Sequence, residues 1–463
     1  MRLILPGSPT WTCAQHGVTR AMRFSFASAA PTATAAFFTA VVVFYGARKV
    51  ELLYRRRRQQ SQKLTTGAKP IILTLIGFGS VNRALAKLIA SKSDFLKRRG
   101  YVVKYRAIVA RHGSWEAQPG CEIDAQDVAM LVDSKARLDG STPPPPGVTE
   151  IMTPSVQAIR DIISRTPLDA ITGLIEAIDV SYDDGEPAAT YLADGLRRGS
   201  HAISANKGPV VHHRASLLAL AKAHGVRYLH ESAFMDGVPI FSLWAGGMRP
   251  GDAQLKRFRG CPNSTTGVIL SGMANGESME QALRRAQDAG IAEADPSGDL
   301  RGYDAAVKVV SLAIALGMAP SGQWGLSDVA ISGMEGVTTE EAVAVKARGN
   351  KLKLVAGAEY ADFAEEAAEA ASAQAGGVQW VPLSERRQQM KSGVPPRPIN
   401  AYVRVEEVRP GDPLYGLEGA DSAVTFFSDL LAPVTVVQSG SEVTDTAFGE
   451  WADLMRAVMP EAV

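Results

Sequence analysis

The densest group of residues that could do chemistry lies between positions 293 and 308. Four carboxylates and one lysine fall within this run, namely Glu293, Asp295, Asp299, Asp304 and Lys308. Carboxylates bind an ammonium group and a lysine moves a proton, so the set suits a small zwitterionic substrate. The alternative is a surface ion pair beside a solvated acidic loop, an arrangement that is common and stabilises little.

A helix is expected to position two of these groups. An apolar helical pattern starts after Gly302 and continues to Gly317. Because Asp304 and Lys308 are four residues apart, a helix places them one turn apart on the same face. The other acids precede Gly302, so they would lie in the loop that enters the helix. The pattern predicts this geometry but leaves the choice between a site and a surface ion pair open.

A glycine-rich turn stands between a predicted strand and a predicted helix. The strand is the apolar run 71–76, and the helical residues are 83–89. This order is typical of a dinucleotide-binding turn, in which the pyrophosphate lies at the helix N-terminus; a plain strand-to-helix turn is the alternative. Asn82 stands where the fingerprint has its third glycine, which is expected to widen the contact between helix and strand. The candidate cofactor contacts are Gly77, Phe78, Gly79, Val81 and Asn82.

The residue that follows the second predicted strand, 101–110, bears on the kind of dinucleotide. An NAD-specific site has an acid there for the ribose 2′-hydroxyl, whereas this chain has Arg111. An arginine favours a 2′-phosphate and hence NADP. A loop arginine in water is the alternative interpretation, so NAD stays open. Residues 113–150 are predicted to be a loop.

Length and composition limit the class of protein. At 463 residues the chain has room for two or three domains, and its formal net charge of +1 gives no reason to expect a nucleic-acid partner. Its cysteines, Cys13, Cys121 and Cys261, show neither a disulfide framework nor a metal-ligand spacing. Predicted strands alternate with predicted helices, which indicates an α/β fold with a doubly wound parallel sheet.

The first 66 residues differ from the rest and are set apart from the fold. No Asp or Glu precedes Glu51, the run 24–47 is uncharged, and arginines occupy 55–58. An organellar presequence has this character and would place the protein in a plastid or mitochondrion. A membrane anchor through residues 24–47, with the rest of the chain facing the cytoplasm, fits equally. An assigned start that is too early is the third interpretation.

Several longer motifs resemble the homoserine dehydrogenase family, over roughly residues 70–455. They are Ala-Asn-Lys-Gly at 205–208, the segments 228–240 and 262–270, and Glu-Ala-Asp-Pro…Gly-Tyr-Asp-Ala-Ala-x-Lys at 293–308. The resemblance implies an NAD(P)-dependent interconversion of L-homoserine and L-aspartate 4-semialdehyde, a step in threonine and methionine biosynthesis. It also implies a homodimer of chains with a Rossmann dinucleotide-binding domain and a mixed α/β catalytic and dimerisation domain. The implied boundaries are an extension at 1–66, the two domains at 67–225 and 226–410, and a segment at 411–463 that returns to the nucleotide side.

The resemblance also implies roles for individual residues. Lys308 is similar to the family's catalytic lysine, and Asp304 is similar to its aspartate partner. Glu293 and Asp299 match acids that bind the substrate. Lys207 matches a lysine that lies near both the nicotinamide and the substrate.

Two segments depart from the family pattern. One is similar to the loop that holds a monovalent cation, usually sodium, but has Phe-Met-Asp instead of a small, glycine-rich filler. The other is the loop 438–443, which has fewer glycines than expected, and its added Glu442 is expected to weaken binding of a phosphate-bearing cofactor. Because about sixteen residues follow Ala447, threonine inhibition through a C-terminal regulatory amino-acid-binding domain, which some family members carry, is not expected. The candidate ligands in the first loop are Glu231 and the backbone carbonyls of Phe234, Asp236 and Val238.

Two other functions compete with this interpretation. A semialdehyde dehydrogenase acting on an acyl phosphate needs a nucleophilic cysteine, for which Cys261 is the candidate in the catalytic half. The alternative is that Cys261 is simply a small, buried, apolar residue. A membrane-tethered NADP-binding sensor without catalysis would explain Asn82 and the altered loop 438–443. It would not explain why the acids and lysine of 293–308 are intact.

Overall fold

The computed structural model describes residues 14–15, 18–19, 67–134, 137–362, 398–440 and 442–459. The chain divides into two units, Met1–Gly67 and Ala68–Val463. In the first unit, Ala14–Gln15 pairs antiparallel with Val18–Thr19. The run 24–47 lies outside the described residues, so neither the presequence nor the anchor is tested. Within the described part of the chain, no helix has the length and apolarity that crossing a membrane requires.

A mixed sheet forms the nucleotide-binding half of the second unit. Its central strand β1 (Lys69–Ile76) is buried from Ile71 onwards, as expected for a parallel strand covered on both faces. The strands lie in the order β8-β7-β6-β1-β2-β3-β5, and β4 pairs with β2. From β8 to β2 the pairs are parallel, while those of β3, β4 and β5 are antiparallel. The other strands are β2 (Tyr101–Val109), β3 (Gly113–Ala117), β4 (Ile123–Asp124), β5 (Val148–Met152), β6 (Ile171–Glu176), β7 (His201–Ser204) and β8 (Tyr228–Leu229).

Helices cover both faces of this sheet, which confirms the predicted doubly wound arrangement. One apolar core contains residues of α1, α2 and α3, and a second core on the other face contains residues of α4, α5 and α6. The bounds are α1 (Ser80–Ser91), α2 (Ser93–Arg98), α3 (Ala125–Asp133), α4 (Val156–Ser164), α5 (Ala188–Arg197) and α6 (Lys207–Ala223).

The prediction of a loop over residues 113–150 is wrong. This stretch contains β3, β4, α3 and the start of β5, and every residue of β3 is buried. The strand was not recognised because Glu116, the fourth of its five residues, breaks the apolar pattern. Its carboxylate is buried by ion pairs with Arg106 at 2.6 Å and Arg165 at 2.8 Å. Long-range pairing, which no local pattern records, therefore makes this strand an interior one.

A second mixed sheet supports the catalytic half. Its order is β10-β12-β11-β9-β13-β14, with β10 parallel to β12 and the other pairs antiparallel. The strands are β9 (Leu255–Cys261), β10 (Val329–Ile331), β11 (Lys351–Tyr360), β12 (Ile399–Val408), β13 (Ser422–Ser428) and β14 (Val434–Gln438). The associated helices are α7 (Ser264–Ala274), α8 (Met279–Asp288), α9 (Tyr303–Ala315) and α10 (Thr339–Ala347), with short helical segments at Glu231–Ala233, Ile240–Ser242, Leu243–Met248, Arg249–Gly251, Ser297–Leu300 and Leu326–Asp328.

Helix α9 confirms the predicted helical pattern after Gly302. Its apolar residues share one core with β9, β11 and β13. The Ala- and Glu-rich composition of residues 359–375 predicts a solvated helix, but Glu359 and Tyr360 belong to β11 and pair with β12, so the prediction is wrong at its start. The stretch 376–398, with its Pro-rich ends, is predicted to be an exposed loop; most of it, and residues 363–375, lie outside the described residues.

The last helix, α11 (Val443–Val458), packs against the nucleotide-binding half. Its Trp451 and Leu454 belong to the same apolar core as β1 and α1. Gly449 permits a close approach to the segment after β8, because a Cβ there would lie 2.2 Å from the Ser232 Oγ and 2.8 Å from the Gly237 Cα. Helix α11 thereby lies against both the dinucleotide sheet and the 231–238 loop.

A fully buried carboxyl on α11 makes the stability of this packing depend on pH. Neither oxygen of Glu450 has a hydrogen-bond partner among the described residues. Burial raises the pKa of Glu450 well above its ordinary value, and the nearby acids Glu176 and Asp453 raise it further. Since the folded pKa exceeds the unfolded one, the folded state holds the extra proton. The stabilisation of the folded state by this extra proton is fully present below the unfolded pKa of about 4.3. It is lost as pH rises through the folded pKa.

Replacing Glu450 with glutamine should therefore stabilise the protein at alkaline pH. The amide keeps the shape of the side chain but cannot ionise, so we expect a gain of about 1–3 kcal/mol near pH ~8 and little change near pH ~5. Urea unfolding across this pH range measures the effect. Glu122→Gln, at an exposed position, is the matched control and should leave the pH dependence unchanged. Parallel pH curves for Glu450→Gln and the unmodified protein would contradict the assignment.

Candidate active site

One end of α9 presents Asp304 and Lys308 as a partly buried ion pair. The Lys308 Nζ lies 2.9 Å from the Asp304 Oδ2 and donates to the Pro262 carbonyl at 2.6 Å. Their side chains are only 24% and 17% exposed, which disfavours the surface ion pair. Burial by itself lowers the pKa of Lys308, but the Asp304 carboxylate outweighs it and raises that pKa. Burial raises the pKa of Asp304, but Lys308 and Lys207 bring it well below its ordinary value.

Lys207 approaches the same carboxylate from the nucleotide-binding half. It is the first residue of α6, and its Nζ lies 4.0 Å from the Asp304 Oδ1. Burial lowers the pKa of Lys207, although Asp304 opposes this effect. Asn206 holds the turn before it, accepting from the Gly208 N–H at 3.0 Å and donating to the Glu176 Oε1 at 3.2 Å. The sequence named Lys207 but gave Asn206 and Glu176 no role.

Asn263 joins the two halves of the predicted acidic set. Its Nδ2 donates to the Asp299 Oδ1 at 2.7 Å and to the Asp304 Oδ2 at 3.2 Å. Its Oδ1 accepts from the Thr266 N–H at 2.9 Å, so the same side chain caps α7. Sequence reasoning quoted the segment 262–270 without assigning Asn263. The available signal was an asparagine directly before a helical run.

The remaining acids of the 293–308 run occupy the loop before α9. Glu293 is exposed, and its side chain makes no hydrogen bond or ion pair with any residue that the structure describes. Asp295 accepts from the Ser297 N–H at 3.1 Å, at the start of the short helix Ser297–Leu300. Asp295 is thus a loop acid that satisfies a helix N-terminus. Contact between Glu293 and a substrate stays a prediction.

A cavity of about 250 Å³ lies between the lysines and the dinucleotide turn. Three parts of the chain contribute to its wall: the nucleotide-binding half, through α1, α6 and the turns after β6 and β7; the 231–238 loop with α9; and α11. The carboxyl ends of parallel strands are where open α/β sheets bind ligands. The lining residues are Val81, Ala177, Ile178, Ala205, Lys207, Ser232, Phe234, Asp236, Lys308 and Thr446.

The turn after β1 has the geometry that a dinucleotide site requires. Gly77 has a φ of +87°, and a Cβ there would lie 2.3 Å from the Ala177 carbonyl oxygen. Asn82 is fully buried, and its amide donates to the carbonyls of Ile76 at 3.2 Å and Gly77 at 3.1 Å. Asn82 therefore ties the helix to the end of the strand rather than simply widening their contact. Its side chain shapes the turn from within the protein.

The N-terminus of α1 is open to a phosphate. No side chain caps it among the described residues, and its first turn contains no acid. Space also surrounds Gly79, where no described atom lies within 4 Å of an added Cβ. Phe78 is buried, so only its backbone can face a ligand, while the Val81 side chain lines the cavity. Free N–H groups at a helix N-terminus fit the pyrophosphate of NAD or NADP.

Arg111 lies at the far side of this turn. Its guanidinium forms an ion pair with Asp179, which follows β6, and the two side chains are 73% and 88% exposed. Because β1 lies between β2 and β6, this ion pair passes beside the end of β1. Arg111 is thus placed at the edge of the dinucleotide turn and is accessible to a ligand.

The predicted cation loop uses its acid for another purpose. The Glu231 carboxylate accepts from the backbone N–H groups of Phe241 at 2.7 Å and Ser242 at 3.1 Å. It also forms an ion pair with Arg456 at 2.9 Å. Because the carboxylate of Glu231 is already engaged, its backbone carbonyl is the group that remains for a cation. Consistently, the described residues contain no cluster of three or more His, Cys, Asp or Glu that would suit a metal ion.

The rest of that loop follows an unusual backbone path. Asp236 has a φ of +48°, and its Oδ1 accepts from the Thr446 Oγ1 at 3.0 Å. The Val238 carbonyl accepts from the Ile240 N–H at 2.8 Å, and Phe234 is buried. The candidate ligands are thus backbone oxygens, which suit a hard cation such as sodium.

The altered loop before α11 brings acids to a helix N-terminus. Glu442 is the N-cap residue, and its N–H donates to the Asp445 Oδ2 at 2.9 Å. Thr446, in the first turn, lines the cavity. The negative charges thus lie near the cleft, and weakened cofactor binding through Glu442 stays a prediction.

Cys261 has the properties of a core residue. It is 6% exposed and packs with apolar residues such as Val355, Tyr402 and Leu414. Burial raises the pKa of the Cys261 thiol to about 12. A thiol nucleophile must ionise near neutral pH, so this position does not support the acyl-phosphate chemistry.

A dinucleotide turn that faces two partly buried lysines across one cleft defines an NAD(P)-dependent oxidoreductase. The homoserine dehydrogenase family model matches residues 239–455. The chain is also 30% identical over 396 residues to the NAD(+)-dependent homoserine dehydrogenase of Pseudomonas canavaninivorans, covering 83% of this chain and 95% of that protein. The chain belongs to the homoserine dehydrogenase family.

Other relatives agree with this assignment. The homoserine dehydrogenase of Methanocaldococcus jannaschii is 29% identical over 285 residues, covering 61% of this chain and 79% of that protein. The structure of the Thiobacillus denitrificans homoserine dehydrogenase aligns with a TM-score of 0.61 and 23% identity. The alignment covers 86% of this chain and 75% of the Thiobacillus chain. A hyperthermophilic archaeal homoserine dehydrogenase, solved in complex with NADPH, aligns with a TM-score of 0.61 and 20% identity. The alignment covers 84% of this chain and 98% of the archaeal chain. These structures support the fold, a dinucleotide-binding domain with a mixed α/β catalytic domain.

Proposed function

We propose that this chain catalyses the NAD(P)-dependent interconversion of L-homoserine and L-aspartate 4-semialdehyde. The observation that carries the proposal is the partly buried Lys308–Asp304 pair, which shares a cleft with an open dinucleotide turn. Membership of the homoserine dehydrogenase family supplies the substrate class. The product would feed threonine and methionine biosynthesis. A sensor without catalysis is less well supported, because such a protein would not need the Lys308–Asp304 ion pair beside the cleft.

The residues divide the chemistry between them. When bound, the nicotinamide supplies hydride to the aldehyde carbon in the reductive direction and accepts it in reverse. The Lys308 ammonium donates a proton to the aldehyde oxygen as negative charge develops there. Asp304 keeps Lys308 charged and oriented, and Lys207 adds positive charge on the other side of that carboxylate. The exposed Glu293 would bind the substrate ammonium, and Asp299, held by Asn263, would hold the hydroxyl end of the substrate or Lys308.

A steady-state assay tests the proposal directly. Purified protein should reduce NAD or NADP in the presence of L-homoserine, measured by the absorbance of the reduced nicotinamide. L-2-aminobutyrate, which lacks the hydroxyl group, is the control and should give no signal. Tight dinucleotide binding without turnover of homoserine would instead favour the sensor.

The preference for NADP over NAD is a finer proposal that rests on Arg111. An exposed guanidinium at the end of β2 can bind a 2′-phosphate by charge-assisted hydrogen bonds. A similar protein is NAD-dependent by name and another was solved with NADPH, so both cofactors occur among the relatives.

Substitution of Arg111 should separate the two cofactors. We expect Arg111→Ala to raise KM for NADPH about tenfold or more, with a change of less than about twofold for NADH. Asp179→Asn is the matched variant, because it removes the competing carboxylate and should lower KM for NADPH. Equal effects of Arg111→Ala on both cofactors would remove the 2′-phosphate argument.

Sodium binding and dimerisation complete the proposal. The backbone oxygens of the 231–238 loop support a sodium site, although Glu231 would contribute only its carbonyl. The homodimer rests on the family resemblance alone.

A further inference from the structure

A fully buried carboxylate lies next to the cavity and has no role in the proposed reaction. Glu176 is the last residue of β6, and it is 0% exposed. β6 runs parallel to β7, and Glu176 pairs with Ser204, the last residue of β7. The carboxylate therefore lies where the chain leaves both strands, at the edge where open α/β sheets bind ligands.

Three donors from two different turns hold the Glu176 carboxylate. Its Oε1 accepts from the Ile178 N–H at 2.8 Å and from the Asn206 Nδ2 at 3.2 Å. Its Oε2 accepts from the Ser204 Oγ at 2.6 Å, and that hydroxyl oxygen accepts from the Asn206 N–H at 3.0 Å. One side chain thus joins the turn after β6 to the turn after β7.

These two turns form most of the cavity wall on the nucleotide-binding side. The backbone also joins them, because the Ala205 N–H donates to the Glu176 carbonyl at 3.1 Å. A change in the length of the Glu176 side chain would therefore move a continuous part of the wall. The lining residues that the two turns supply are Ala177, Ile178, Ala205 and Lys207.

The same hydrogen bonds reach the catalytic carboxylate through Lys207. Asn206, held by Glu176, caps α6 by accepting from the Gly208 N–H at 3.0 Å. Lys207 is the first residue of that helix, and its Nζ lies 4.0 Å from the Asp304 Oδ1. Since a displacement of about 1 Å in a reacting site can cost about a hundredfold in rate, the position of this helix end matters for the reaction.

Folding alone does not favour a carboxylate at this position. In the part of the chain that the structure describes, no lysine, arginine or histidine forms an ion pair with Glu176. Burial raises the pKa of Glu176, and the hydrogen bonds from Ser204, Ile178 and Asn206 oppose this rise. A buried acid without a cation costs stability, and such local costs are expected beside functional sites.

We propose that Glu176 is a positioning residue for hydride transfer. Its carboxylate holds the turns after β6 and β7 together, and this fixes Ile178 and Lys207 relative to each other in the cleft. Glu176 is not among the residues that line the cavity, so it acts through these neighbours and not on the substrate. The inference deepens the proposed function and rests on it.

Glu176→Asp tests the bridge between the turns, because it keeps the charge but shortens the side chain by one methylene group. We expect kcat to fall about tenfold or more. The primary deuterium isotope effect, measured with reduced dinucleotide deuterated at the transferred position, should rise because hydride transfer becomes the slow step. This ratio does not depend on the amount of folded protein.

A second readout does not require turnover. The fluorescence of reduced dinucleotide bound to Glu176→Asp, without substrate, should shift toward that of the free cofactor, since a loosened wall admits water to the ring. The pyrophosphate would still bind at the N-terminus of α1, so we expect the dissociation constant to change less than about threefold.

Two further variants separate positioning from stability. Glu176→Gln keeps the length of the side chain, and its amide oxygen can accept from Ile178 and Asn206, so kcat should stay within about threefold of that of the unmodified protein. Glu116→Asp is the matched control, because it shortens another buried carboxylate of the same sheet, one that pairs with Arg106 and Arg165. It should lower the melting temperature but leave kcat, the isotope effect and the fluorescence unchanged.

The outcomes separate the inference from the function on which it rests. If the unmodified protein turns over homoserine and Glu176→Asp keeps its kcat, isotope effect and fluorescence, the inference fails and the function stands. Equal losses in Glu176→Asp and Glu116→Asp also overturn it, as does a larger loss in Glu176→Gln than in Glu176→Asp, which would assign the effect to charge. No turnover by the unmodified protein overturns both.

Discussion

Replacing Lys308 with methionine should lower kcat by about a thousandfold or more in both directions of the reaction. The methionine side chain occupies a similar volume but carries no charge, so α9 should keep its packing. The loss combines proton transfer, worth about 10²–10⁴-fold, with electrostatic stabilisation of the alkoxide. Dinucleotide binding, measured by fluorescence of the reduced cofactor, should stay close to that of the unmodified protein.

A second buried lysine provides the control for Lys308. Lys353 on β11 is 4% exposed, and its Nζ donates to the Leu417 carbonyl at 2.8 Å. It thus resembles Lys308 in its carbonyl contact and is more deeply buried than Lys308, but it lies outside the cavity wall. Lys353→Met should change stability more than kcat. If Lys308→Met retained near-normal kcat, or if both variants lost activity equally, Lys308 would not be the proton donor.

The sequence predicted those parts of the site that depend on local spacing. The four-residue interval between Asp304 and Lys308 and the strand–glycine–helix order at Gly77 both define geometry within a few residues. The structure bears out this geometry and shows that the ion pair is partly buried. This burial favours a functional site over a surface ion pair at Asp304 and Lys308, since an exposed pair with the same spacing would contribute little to stability.

The parts that sequence reasoning missed depend on contacts between distant residues. Asn263 reaches Asp299 and Asp304, which are 36 and 41 positions away. Glu176 and Asn206, which hold the turn before Lys207, are 30 positions apart. Helical or strand periodicity carries no information about such pairs, because each side chain is satisfied by an element that the local pattern does not include.

The sheet itself shows the same limit. Apolar runs such as 71–76 were recognisable because both faces of a parallel strand are buried. β3 escaped recognition because Glu116 is neutralised by Arg165, 49 positions further along the chain. A buried charge therefore marks a place where sequence patterns mislead and where the fold depends on pairing.

Gly77→Ala should impair both folding and dinucleotide binding. The position has a φ of +87°, which costs an alanine about 1–3 kcal/mol. In addition, the new methyl group would lie 2.3 Å from the carbonyl oxygen of Ala177, a backbone atom that cannot rotate away. The turn must shift, which also moves the N–H groups at the N-terminus of α1. We expect the melting temperature of the cofactor-free protein to fall by several degrees and dinucleotide affinity to fall by about tenfold or more.

Gly79, two residues away, separates the two effects. No described atom lies within 4 Å of a Cβ at this position, so Gly79→Ala should leave the melting temperature of the cofactor-free protein unchanged. Its affinity for the dinucleotide should still fall, because the methyl group would occupy the space through which a pyrophosphate approaches the backbone. Unchanged affinity in Gly79→Ala would place the pyrophosphate elsewhere. An unchanged melting temperature in Gly77→Ala would mean that the turn does not require a left-handed backbone at this position. The close contact with Ala177 would then not determine how β1 joins α1.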